Sequence, residues 1–164
     1  MKAVLAAVLL AACVFARAQN LPASLPSACG PKNSGFNVRL DKSRHEFVEP
    51  EPGKARVYFI QETSAVLGTN ENVLYGIDGM WVGANRAFSY FSVSVEPGEH
   101  HFCAAAPFYR ESKVAVLAHL DAEAGKTYFY RVRRFDFMDM SPIDSDEGKY
   151  LLSSYPLSVF QLNK

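Results

Sequence analysis

The sequence has no net charge and few of the residues that announce a chemistry. Its 17 lysines and arginines are matched by 17 aspartates and glutamates. A chain without a basic excess has no electrostatic footprint for nucleic acid or for an anionic membrane surface. Cysteine is scarce at three residues, and Cys29, His119 and His45 do not stand at a recognisable zinc-ligand spacing. There is no G-x-S-x-G elbow and no P-loop. Asp136, Asp139, Asp144 and Asp146 lack the glycine and the terminal glutamate of a calcium-binding EF-hand loop. No β-α-β alternation occurs, which excludes a Rossmann-type cofactor site and leads to the expectation that no strands pair in parallel. No cofactor and no metal are expected.

What is present begins at the N-terminus. Lys2 precedes an almost purely apolar run from Ala3 to Ala16, and Ala16-Arg17-Ala18 fits a small-x-small cleavage site. The run is shorter than the roughly 20 residues needed to cross a bilayer. Residues 1–18 therefore read as a signal peptide, cut before Gln19. In the alternative reading, Leu10-Ala11-Ala12-Cys13 is a lipobox and Cys13 carries a lipid, the one route by which this chain would meet a membrane. Export bears on the cysteines. Cys29 and Cys103 remain, an even number in an oxidising compartment, and a Cys29–Cys103 disulfide is expected to staple the N-terminal arm to the body.

Residues 19–53 read as a proline-containing arm or linker with one short strand at Phe36–Leu40, and 54–164 as the folded domain. Short alternating or β-branched runs follow at 55–60, 73–77, 80–82, 87–95, 100–105, 114–120 and 126–135, with a last one at 157–162. Asp78-Gly79, between two apolar runs, is a hairpin signal, because a type I′ turn needs positive φ at both central residues. Asp144 and Glu147 have capping-box spacing, predicting a helix of about ten residues that Pro156 stops. The pattern specifies an all-β fold, an antiparallel β-sandwich (immunoglobulin-like or prealbumin-like) with a short C-terminal helix.

The strings K-A-R-V-Y-F (54–59), G-I-D-G-M-W-V-G (76–83), V-E-P-G-E-H-H-F (95–102) and D-A-E-A-G-K-T-Y-F-Y-R-V (121–132) carry a resemblance. Over roughly residues 54–134 the chain resembles the bacterial domain-of-unknown-function family 2846 of exported proteins and lipoproteins. It is also similar to PEGA-type surface modules. The resemblance implies a small all-β envelope or extracellular domain and transfers no catalytic residues.

The stretch Pro97–Ala106, PGEHHFCAAA, looks at first like a metal or redox motif. On a strand, side chains alternate faces, so His100 and His101 point apart and cannot converge on one ion. His101 and Cys103 share a face, and further ligands would have to come from Cys29, His119 or His45. Local hydrogen bonding of His100 is the simpler expectation. The candidate binding surface is Trp81 together with a basic-aromatic stripe of Tyr130, Arg131 and Arg133. The function expected is a non-enzymatic exported module that binds a protein or envelope partner. The alternatives are a metal-dependent or thiol hydrolase using Cys103, His101 and His119, and a lipid-anchored envelope accessory.

Overall fold

The computed structural model describes residues 27–31, 34–63, 72–108, 112–134 and 138–163. The signal segment and Cys13 lie outside them. The fold is all-β: the described residues form ten strands in two sheets and one short helix. The strands are β1 (Phe36–Asp41), β2 (Ala55–Thr63), β3 (Val73–Ile77), β4 (Met80–Asn85), β5 (Ser89–Val95), β6 (Gly98–Phe108), β7 (Ser112–Ala122), β8 (Thr127–Arg134), β9 (Met138–Ile143) and β10 (Leu157–Leu162). The helix, α1 (Ser145–Ser154), precedes β10. One sheet has the order β1-β10-β5-β2-β8-β9 and the other β4-β3-β6-β7.

Period-two alternation sorts the side chains into layers. Val57 and Phe59 of β2, Phe91 and Val95 of β5, Tyr130 and Val132 of β8, and Met138 and Met140 of β9 line one side of the central core. Val73 and Tyr75 of β3, Phe102 and Ala104 of β6, and Leu120 of β7 line the other. The even residues of β2, Tyr58 and Ile60, face the opposite way. They join Tyr90, Phe129 and the helix residues Leu151 and Leu152 in a second cluster. The helix thus covers the outer face of the six-stranded sheet.

The turn and cap signals hold. Asp78 and Gly79 have φ of 50° and 88°, as a type I′ hairpin turn requires. Asp144 caps α1, its Oδ1 accepting from the Glu147 N–H at 2.8 Å. The expectation of purely antiparallel pairing is corrected. β2 and β8 run parallel over eight register pairs, from Arg56↔Thr127 to Thr63↔Arg134, and β10 meets β5 in parallel at Leu157↔Tyr90. Parallel neighbours need a long crossover, which a helix usually supplies. Between β2 and β8, the chain instead crosses to the four-stranded sheet and back twice, through β3-β4 and β6-β7. Strand β9 has no counterpart among the expected strands. Its sequence, MDMSPI, interleaves two buried methionines with polar residues and a proline, which an edge strand accommodates.

The acidic, proline-rich segment before β2 is docked against the sheet. Tyr58 Oη accepts from the Val48 N–H at 2.5 Å, Tyr90 Oη bonds the Glu46 N–H, and the Phe47 ring stacks on Tyr58 at 5.9 Å. Gly148 of α1 allows the helix to sit this close to the sheet, because a Cβ there would strike the ring of Phe129. Gly148→Ala is therefore expected to destabilise by about 1–3 kcal/mol through overpacking. Helix propensity alone would predict a gain of about 1 kcal/mol. Chemical denaturation of the variant decides the sign.

Candidate functional site

Three places in the fold bring together the residues that sequence reading singled out: the N-terminal strap, the histidine strands and the outer face of β8. At the strap, residues 27–31 cross the outer face of the four-stranded sheet. Cys29 and Cys103 form a disulfide there, with Cα atoms 5.1 Å apart. Cys103 is fully buried on β6, and Cys29 is nearly so. Further contacts seat the strap. The Gly79 N–H donates to Ala28 O at 3.1 Å, and Trp81 Nε1 donates to Pro31 O at 2.8 Å. Gly76 lies directly beneath, where a Cβ would come within 2.7 Å of Ala28 O. Trp81 is half-buried, packed against the disulfide cluster and against Phe36, Val38 and Ala84. Its ring holds the strap rather than standing free at a hairpin tip.

The histidines separate as alternation requires. His100 turns toward the end of the core, and its Nδ1 lies 2.7 Å from Asp78 Oδ2 and its Nε2 2.7 Å from Glu96 O. His101 faces outward with Glu99, its Nε2 3.5 Å from Glu99 Oε1. Strand register, which sequence reading did not supply, sets His119 directly opposite His101, and Asp121 opposite Glu99. Cys103 stands opposite Leu117 and is already bonded to Cys29. Its sulfur is therefore not a free nucleophile. His45 lies on the far side of the molecule, its Nδ1 3.3 Å from Leu152 O of the helix. Among the described residues no three His, Cys, Asp or Glu side chains come together to hold a metal ion.

The basic-aromatic stripe does not form one surface. Tyr130 is withdrawn from it: the residue is 4% exposed, belongs to the central core, and donates through Oη to His119 O at 2.9 Å. Alternation alone puts it on the face of β8 opposite Arg131 and Arg133. Arg131 is partly buried between Glu147 of α1, which it contacts through Nη1, and Glu62, whose Oε2 is 3.7 Å from Nε. The Tyr155 hydroxyl donates to Glu62 Oε1 at 3.1 Å. Burial, reinforced by the negative charge of Glu62, pushes that hydroxyl up to about 12. Arg133 pairs with Asp139 at 3.4 Å. The arginines thus tie β8 to α1, β2 and β9.

Sequence reading missed the role of Asp78. Its Oδ1 accepts from the His101 N–H at 2.8 Å, while its own N–H donates to His101 O at 3.0 Å. It is thus both a turn residue and the acceptor that fixes the start of β6.

No family model, curated protein or solved structure matches the chain.

Proposed function

We propose that this chain is an exported, non-enzymatic β-sandwich module, immunoglobulin-like or prealbumin-like in type, that serves an envelope or secreted assembly as an interaction or structural domain. The observation that carries the reading is the buried Cys29–Cys103 disulfide fastening the strap to β6. Such a bond persists in oxidising compartments and is rare where thiols are kept reduced. The signal-like N-terminus agrees with it. Among the described residues no helix is long and apolar enough to cross a membrane. A thiol hydrolase would need Cys103 free, and here its sulfur is committed to Cys29.

Fractionation of cells producing the full chain with a C-terminal epitope tests the placement. The tagged protein is expected outside the cytoplasm, shortened by the signal segment, and a chain lacking residues 1–18 is expected to stay inside. Full-length protein retained in the cytoplasm overturns the reading. In the same extracts, a lipid-modified Cys13 would shift the assignment to a lipid-anchored envelope accessory.

A further inference from the structure

We propose that His100 is a pH-sensitive latch, holding in its protonated form the Asp78–Gly79 turn on which the N-terminal strap is seated. The His100 imidazole has two ring nitrogens. Each lies 2.7 Å from an oxygen that can only accept a hydrogen bond: the Asp78 carboxylate on one side and the main-chain carbonyl of Glu96 on the other. A neutral imidazole has one N–H and one lone pair, and the imidazolium has two N–H donors. Only the charged ring satisfies both partners. Losing its proton sets a lone pair against an oxygen at hydrogen-bond distance, and one of the two contacts must be given up.

The placement makes this contact consequential. Glu96 follows β5 of the six-stranded sheet, and Asp78 sits in the β3–β4 turn of the four-stranded sheet. His100, near the start of β6, therefore bridges the two sheets at one end of the core. Asp78 is held by His100 and His101 together. The next residue, Gly79, donates the hydrogen bond that Ala28 of the strap accepts. The route from ring to strap is thus His100, Asp78, Gly79, Ala28, with a hydrogen bond or a peptide bond at every step.

The charges around the ring favour the protonated form. The Asp78 carboxylate and the Glu96 main-chain carbonyl approach it directly, and the Glu96 carboxylate lies 3.3 Å from Lys54 Nζ. From β7 the register partner is Leu120, which is uncharged. Glu99 and His101, on the same strand, and Asp121, opposite Glu99, lie on the outward face. Burial pulls the His100 imidazole down, but Asp78 and the Glu96 carbonyl outweigh it and hold the ring above its ordinary 6.5. Burial likewise pushes Asp78 up, and its bonds from His101 and His100 more than reverse this, holding it below 3.8. The sign follows. A folded-state value raised above the unfolded one gives a contribution fully present below pH 6.5 and lost as pH rises through the raised value. On the acid side the latch persists until Asp78 takes up its proton.

Two NMR measurements on the oxidised protein test the latch. The imidazole nitrogen shifts of His100 give its protonation midpoint, and hydrogen exchange of the Gly79 amide, corrected for its intrinsic rate, reports the seating of the strap. His100 is expected to titrate above 6.5, and Gly79 protection to fall several-fold across that titration. In Asp78→Asn the midpoint is expected to drop. In His100→Gln the protection is expected to be flat over the same pH range. A wild-type midpoint at or below 6.5 overturns the proposal. So does Gly79 protection that stays constant while His100 titrates. A His100→Gln pH profile that superimposes on wild type overturns it as well. Should a variant fail to fold, the two wild-type titrations decide alone.

Discussion

Phe59→Ala is expected to lower the free energy of unfolding by about 3–5 kcal/mol, the range for removing a buried aromatic ring from a packed core. Phe59 is fully buried at the centre of the aromatic cluster that joins the two sheets. Its ring meets Tyr75 at 4.9 Å and Phe102 at 5.3 Å on one sheet, and Phe91 at 5.4 Å and Tyr130 at 6.3 Å on the other. Truncation removes contacts to both layers at once. Both layers are hydrogen-bonded sheets, which cannot collapse to fill the space. Domains of this size are stable by about 5–15 kcal/mol, so the loss removes a large share of the total. Equilibrium denaturation at 25 °C checks the value. A loss below about 1 kcal/mol would mean that the two sheets do not depend on this ring. Phe47, by contrast, stacks on Tyr58 from outside the six-stranded sheet and is 38% exposed, so its truncation should cost much less.

The second large effect belongs to the strap. In the double variant Cys29→Ala/Cys103→Ala, the cross-link is lost without placing a polar atom in the site. The bond closes a loop of sequence separation 74, and releasing that constraint on the unfolded chain lowers stability by about 4 kcal/mol in the chain-entropy treatment. The slope of stability against denaturant is expected to rise as well, because the unlinked unfolded chain exposes more surface. Strap contacts that survive, Gly79 to Ala28 and Trp81 to Pro31, should be weakened. Protease is then expected to cut near residue 30 in the variant and not in the oxidised parent. Unchanged stability together with an unchanged slope would show that the bond does not constrain the chain.

Much of this architecture was legible because it is written locally. The Asp78-Gly79 turn, the Asp144 cap and the Pro156 stop are short-range instructions, and each appears where the sequence puts it. Alternation in β2, β5, β6 and β8 likewise sorts core from surface. On β8 it sets Phe129, Arg131 and Arg133 on one face and Tyr130 on the other. What was not legible is non-local. Parallel pairing of β2 with β8 depends on the chain crossing between sheets, and no window of sequence contains that. The meeting of His101 with His119 is a matter of register between strands 18 residues apart in the pairing. The His100–Asp78 contact joins residues 22 apart through a turn and a neighbouring strand. Strand β9 escaped notice for a different reason. Aspartate and proline are weak strand formers, and its edge position and its two inward methionines make it one.

As proposed, the protein works outside the cytoplasm with its strap locked to β6. Mass spectrometry of the chain taken from its native cells, alkylated before any reductant is added, tests it most directly. The expected result is a mature chain beginning at Gln19, no alkylated cysteine, and a linked peptide pair containing Cys29 and Cys103. A chain that keeps Met1 and carries alkyl groups on both Cys29 and Cys103 would contradict it.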